Sequence, residues 1–296
     1  MNQKTTALTD RLRNGDFMTA PGVFDLISAR IADQFEFPAI YMTGYGVVAS
    51  SLGLPDAGLA SYTEMVDRVE KIALATATPL IADGDTGYGG LLNVDHTVRG
   101  YERAGACGIQ LEDQEYPKKC GHTPRRRVIA LEDMLAKIRV ATSARESDDF
   151  IIIARTDARS EHGIDDAIRR GQAFADAGAD VVFVEAPESI DEMEKICRAI
   201  DKPLLANMVD GGRTPVLSAD ELRQIGYQIA IFPGTGFLAM GAAVESAYRH
   251  LKTTGSSSDL KLTETGTGHQ RRTDHVLDEP LNFYNCLLYT SAAADE

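Results

Sequence analysis

Short apolar runs recur along this chain, each bounded by polar residues and separated from the next by a longer stretch of helical periodicity. They span Ala39 to Met42, Pro79 to Ala82, Gly108 to Leu111, Phe150 to Ala154, Val181 to Val184, Pro203 to Ala206 and Ile229 to Phe232, with a weaker one from Phe17 to Ala20. Runs that are apolar at successive positions, not alternate ones, mark parallel strands covered on both faces. The intervening stretches carry helix signals. Ser61 with Glu64, and Ser218 with Glu221, read as capping boxes, the first opening a helix to about Thr76. Ala104-Gly105-Ala106 and Ala177-Gly178-Ala179 each precede a strand, with the glycine placed to end a helix. Eight strand–helix units in about 250 residues predict an α/β fold, a (β/α)8 barrel. A doubly wound sheet is the competing architecture, but no Gly-x-Gly-x-x-Gly follows the first strand.

No linker interrupts the chain before Thr253, so residues 1–253 read as one catalytic barrel domain. Thr254-Gly255-Ser256-Ser257-Ser258 reads as a hinge, and 254–285 as a helical extension that packs elsewhere or on a neighbouring chain. Cys286 to Glu296 resembles the translation of a transposon-type sequencing adapter, so 286–296 is read as a non-native tail.

Polar residues gather just past the predicted strand ends, the face of a barrel where active sites form. Thr43, Gly44 and Tyr45 follow the second strand, and their backbone N–H groups could receive a carboxylate. Asp83-Gly84-Asp85 follows the third and Glu112 the fourth; with Asp56 they form an all-oxygen acidic set suited to magnesium or manganese. Taken singly, these are ordinary loop carboxylates. Arg155 follows the fifth strand, Glu185 the sixth and Asn207 the seventh. Arg155 either forks onto a substrate carboxylate or is buried in an ion pair with Asp157 or Glu185. The most reactive stretch is Lys118-Lys119-Cys120-Gly121-His122. Flanking cations favour the thiolate of Cys120, and Gly121 lets the backbone approach a ligand closely.

Composition narrows the choice of partner. The net charge is −14, and the only basic block is Arg125-Arg126-Arg127. Nucleic acid and an anionic membrane surface are therefore not expected, and an anionic substrate must rely on local cations such as Lys118 and Lys119. The four cysteines have no disulfide or metal-finger spacing, which fits a reduced, cytoplasmic setting.

These residues together resemble the isocitrate lyase/phosphoenolpyruvate mutase superfamily from about Pro21 to Thr253. The resemblance rests on Tyr41 to Gly46, Leu52 to Asp56, Asp83 to Gly89, Leu111 to Gln114, Lys118 to His122, Ala154 to Asp157 and Asn207-Met208. It implies a barrel whose last helix is exchanged between subunits of a homotetramer, with Mg2+ at Asp83 and Asp85 and with Glu112 nearby. It also implies that Thr43, Gly44 and Tyr45 grip the carboxylate of a 2-oxo acid unit under a loop bearing Cys120. The cysteine loop is similar to that of the carbon–carbon lyase branch, which includes methylisocitrate and dimethylmalate lyases. The expected reaction is Mg2+-dependent cleavage of a 2-hydroxy dicarboxylate to a 2-oxo acid such as pyruvate and a carboxylic acid. Tyr41 is the candidate base, Cys120 the acid, and Lys119, His122 and Arg155 the groups that stabilise developing charge. Leu238 stands where the methylisocitrate lyases carry an arginine, which favours a smaller substrate of the 2-alkylmalate type. Gly84 stands where alanine is usual and is expected to be tolerated, at the cost of a looser metal loop. Competing readings are oxaloacetate hydrolysis or decarboxylation, a phosphonate rearrangement on the same fold, and a barrel that binds a dicarboxylate without catalysis.

Overall fold

The structure, a computed structural model, describes residues 3–121, 125–258 and 260. Eight strands follow one another around a closed, all-parallel barrel. They are β1 (Met18–Val23), β2 (Ile40–Met42), β3 (Leu80–Asp83), β4 (Gly108–Glu112), β5 (Ile151–Thr156), β6 (Val181–Val184), β7 (Leu204–Asn207) and β8 (Ile229–Phe232). The helices are α1 (Gln3–Arg13), α2 (Leu26–Asp33), α3 (Gly44–Leu52), α4 (Tyr62–Ala75), α5 (Leu91–Arg103) and α6 (Leu131–Ala144). They continue with α7 (Arg159–His162), α8 (Ile164–Asp176), α9 (Ile190–Ala199), α10 (Ala219–Ile225) and α11 (Thr235–Thr254). Every predicted strand is present, and β3 to β6 are buried at all positions, which is why each reads as an unbroken apolar run. Ser61 and Ser218 cap α4 and α10 as capping boxes. Gly105 and Gly178 lie just past helix ends at φ +97° and +106°, a region that favours glycine.

The barrel closes where β1 pairs with β8, from Met18 opposite Ile229 to Pro21 opposite Phe232. Its interior is filled by Met18, Ala20, Tyr41, Ile81, Ile153, Phe183, Leu205, Ile229 and Ile231. The buried Leu8 and Leu12 of α1 join the same cluster. Polar contacts tie that helix down: Thr9 Oγ1 donates to Asp149 O, Lys4 Nζ to Ala73 O, and Gln228 Nε2 to Leu12 O. The strand amino ends are thereby sealed, and the carboxyl ends are left to carry chemistry.

The described residues fall into two compact units, one ending at Phe237 and one beginning at Leu238. In the second, α11 runs on to Thr254, and Gly255 follows at φ +68° where the hinge was expected. Leu238, Val244, Tyr248 and Leu251 of this helix are exposed. The expected tail over 286–296, and nearly all of the extension over 254–285, lie outside the described residues. No helix among those described is long and apolar enough to cross a membrane.

Candidate active site

Strand register brings the candidate residues together at one mouth of the barrel. Asp83, the last residue of β3, pairs with Gln110, and Glu112, the last of β4, pairs with Arg155. Asp83 Oδ1 accepts from Asp85 N at 3.0 Å and from Gln110 Nε2 at 3.3 Å, while Oδ2 accepts from Gly44 N at 3.3 Å. The first N–H of α3 is thus aimed at the acidic set. Thr43 is the N-cap of that helix, and Tyr45 turns its ring outward against Phe237 at 5.3 Å. What Tyr45 retains for an anion is its backbone N–H in the first helical turn.

Asp85 takes φ +49°, a conformation that costs energy for a residue with a side chain. Its Oδ1 lies 2.6 Å from Lys118 Nζ, which is also 2.6 Å from Asp56 Oδ1. Burial alone would discharge Lys118, but Asp85, Asp56, Glu112 and Asp83 outweigh it and hold the ammonium firmly protonated. The Asp85 carboxyl is pushed up to about 7 by burial and, against Lys118, by the neighbouring Asp83 and Asp56.

Lys118 takes the place expected for Lys119. The Gln114 side chain clamps Lys119 on both sides, accepting from its N–H at 3.0 Å and donating to its carbonyl at 2.9 Å. The exposed Lys119 ammonium donates to Arg125 O at 3.1 Å, away from the carboxylates. Cys120, half-buried, donates its backbone N–H to Asp56 O at 3.2 Å, so the thiol segment is tied to the loop that carries Asp56. Gly121 sits where a Cβ would come within 2.5 Å of Arg155 Nη2 and 3.0 Å of Glu185 Cδ, so the segment passes directly over both. His122 lies outside the described residues.

Arg155 is enclosed by carboxylates. Its Nε and Nη2 each donate to Asp157 at 2.9 Å, Nη1 lies 3.2 Å from Glu112 Oε2, and Nη2 lies 3.5 Å from Glu185 Oε2. Both anticipated ion pairs therefore form. Burial opposes the charge, but Asp157, Glu112 and Glu185 hold it well above the ordinary arginine value. Asn207 completes this side by donating to Glu185 Oε2 at 3.1 Å.

Two expectations need correction. Tyr41 does not have the geometry of a base: its hydroxyl donates to Gln110 Oε1 at 2.8 Å, and burial together with Asp83 drives its pKa well up. Gly84 does not leave a loose loop. A Cβ there would lie 2.7 Å from Ile109 Cδ1 and 2.9 Å from Gln110 O, because the isoleucine already fills the space.

Sequence reasoning passed over three groups. Gln110 was visible as a polar residue in the middle of a buried strand. Asp113 is fully buried and accepts from Thr156 Oγ1, Asp157 N and Arg170 Nη1. Arg126 belongs to the single basic block, to which no site role was given, yet it is buried and reaches Asp157.

The donor chemistry suits a hard divalent cation. Asp56, Asp83, Asp85 and Glu112 are buried, and Glu112 Oε1 has no hydrogen-bond partner among the described residues. No three carboxylate, imidazole or thiolate groups converge tightly enough to cage an ion alone among the described residues.

Known proteins resemble this chain in sequence and in fold. A family profile described as phosphoenolpyruvate phosphomutase matches residues 8–252. A 2,3-dimethylmalate lyase from Eubacterium barkeri is 46% identical over 86% of this chain and 90% of its own length. A 2-methylisocitrate lyase from Aeropyrum pernix is 41% identical over 86% of this chain and 81% of its own. Among solved structures, oxaloacetate acetylhydrolase in complex with the inhibitor 3,3-difluorooxalacetate superposes with a TM-score of 0.87 at 34% identity, covering 98% and 97% of the two chains. Phosphonopyruvate hydrolase in complex with oxalate and Mg2+ gives 0.81 at 27% identity, covering 97% and 98%. The barrel, the carboxylates at its mouth and these matches lead to one conclusion: the chain belongs to the phosphoenolpyruvate mutase/isocitrate lyase superfamily of enzymes.

Proposed function

We propose that this protein is a carbon–carbon lyase that cleaves a 2-hydroxy dicarboxylate of the 2-alkylmalate type into a 2-oxo acid, such as pyruvate, and a carboxylic acid. The observation that carries the reading is the placement of the Cys120 segment: Gly121 lies against Arg155 and Glu185 while Lys118 lies among the carboxylates. The 46% identity to a 2,3-dimethylmalate lyase supports the 2-alkylmalate class over a tricarboxylate, as does Leu238 in place of an arginine.

Asp83 and Asp85, with Glu112 and Asp56 beside them, would hold Mg2+, or Mn2+ in its place. Bound there, the ion would supply Lewis acidity that lowers the pKa of a 2-hydroxyl and steadies the oxygen charge of the 2-oxo product. The Tyr45 N–H in the first turn of α3 orients the adjacent carboxylate, while the Thr43 N–H is held by Val23 O at 3.0 Å and the Gly44 N–H by Asp83. Once the hydroxyl has lost its proton to solvent, the carbon–carbon bond breaks, and its electron pair passes to the departing carboxylate fragment as an enediolate. Arg155 and Lys118 stabilise that negative charge in a buried site, with His122 as the expected third group. The Cys120 thiol then protonates the carbon, and the thiolate regains a proton from solvent. Glu185 and Asn207 hold Arg155 and line the pocket for the leaving fragment. We further propose a homotetramer in which α11 is exchanged between paired subunits; the apolar side chains of Val244, Tyr248 and Leu251, at helical spacing and exposed, support this.

The test is a screen of 2-hydroxy dicarboxylates with Mg2+, reading release of 2-oxo acid, with oxaloacetate as a separate arm. Release of pyruvate from a 2-alkylmalate is expected. Cys120→Ser should lower turnover by about 100-fold while leaving substrate binding intact. Turnover of oxaloacetate alone, or an unimpaired Cys120→Ser, would remove the lyase reading.

A further inference from the structure

Arg155 faces three buried carboxylates, Glu112, Asp157 and Glu185, and its fork is saturated by Asp157. A single guanidinium among three carboxylates would present an anionic substrate with a repulsive wall. A second guanidinium changes this balance. Arg126 comes six positions after Cys120 in the chain and buries its side chain to 1% exposure, with Nη1 3.3 Å from Asp157 Oδ1. This is the same oxygen that accepts from Arg155 Nη2 at 2.9 Å. The other end of the Arg126 fork donates to Ser160 Oγ, in the short helix that follows Asp157. Asp157 is itself pinned from behind, its backbone N–H donating to Asp113 Oδ1 at 2.9 Å.

We propose that Arg126 is a positioning residue for Arg155. By sharing Asp157 it fixes the angle at which the Arg155 fork is presented, and it leaves the Arg155 charge less completely cancelled for an anionic ligand. Arg126, six positions beyond Cys120, is thereby tied through Asp157 to the guanidinium on which the reaction depends. Charge counting gives the direction. Two guanidiniums face three carboxylates in the native protein, and one faces three when Arg126 is neutralised. Loss of Arg126 therefore weakens anion binding and charge stabilisation together, although Arg126 itself lies behind Asp157 and does not touch substrate. The inference rests on the reading of Arg155 as the group that meets substrate charge.

The experiment compares wild type with R126M and R126K, using the full chain with Mg2+. Oxalate affinity is measured by calorimetry, turnover is measured on the best 2-hydroxy dicarboxylate, and the Arg155 geometry is read from crystal structures. R126M should weaken oxalate binding and turnover at least tenfold, with the Arg155 guanidinium shifted on Asp157. R126K, which keeps the charge, should recover most of the oxalate affinity. If R126M does not fold, R126Q, which keeps a donor for Ser160 without charge, is read in the same way. An Arg155 that keeps its place in the neutral variant, or oxalate affinity within twofold of wild type, overturns the inference. A wild type that cleaves no 2-hydroxy dicarboxylate would instead count against the proposed reaction, and the shift of Arg155 would still decide the role of Arg126.

Discussion

Two adjacent lysines show how much one residue's position decides. Lys118 and Lys119 are chemically identical, and nothing in their local sequence ranks them. The ranking comes from partners far along the chain: Asp56 and Asp85 draw one ammonium inward at 2.6 Å each, and the Gln114 clamp turns the other out. Breaking a buried ion pair from one side leaves a carboxylate unsupported, at a cost of about 3–5 kcal/mol. Lys118→Met should accordingly lower the unfolding free energy of the metal-free protein by about 3 kcal/mol. Lys119→Met should stay within about 0.5 kcal/mol of wild type, as exposed substitutions do. Urea titrations in the presence of a chelator measure both, and equal effects would show that Lys118 is not held as described. For the same reason Arg126 was illegible. A basic run in a chain of net charge −14 reads as solvated surface, and only the fold reveals a buried carboxylate within its reach.

At the scale of elements, what the sequence makes legible is burial. The strands of the barrel are apolar at nearly every position because both faces are covered, so their number and order could be read directly. The strand-end residues were legible with them, since Asp83, Glu112, Arg155 and Asn207 lie at or next to the ends of such runs. Contacts between elements were not. Asp33, at the end of α2, accepts from Ala77 N, Thr78 N and Thr78 Oγ1 at 2.7–2.9 Å, tying that helix to the turn before β3. Burial pushes the Asp33 carboxyl up, but the Thr78 hydroxyl and the two backbone N–H groups outweigh it, and the pKa lies below its ordinary 3.8. A carboxylate lowered by folding contributes stability that is complete above its unfolded value and fades as pH falls through its folded one. Asp33→Ala should therefore cost about 1–2 kcal/mol near pH 7, a partly exposed set of charge-assisted hydrogen bonds. The gap from wild type should shrink as the pH is lowered from 5 towards 2. Urea unfolding across that range checks the sign, and a gap that widens in acid would refute it.

At the scale of the whole molecule, the prediction concerns assembly. Val244, Tyr248 and Leu251 fall on one stripe of α11, and all three are exposed. If neighbouring subunits cover that stripe, Tyr248→Asp with Leu251→Asp should shift sedimentation from tetramer to smaller species, while an unchanged profile would exclude exchange through this face. The closure of the barrel has a further consequence, for biosynthesis. The first strand has no partner on one side until the eighth, ending at Phe232, has been made, and Gln228 fastens the opening helix only then. A chain still emerging from the ribosome must therefore carry Leu8, Leu12, Met18 and Ala20 without their final neighbours through most of its translation. Such prolonged exposure invites aggregation. Yield in a heterologous host should consequently respond to chaperone supply and elongation rate more than to the stability of the finished enzyme.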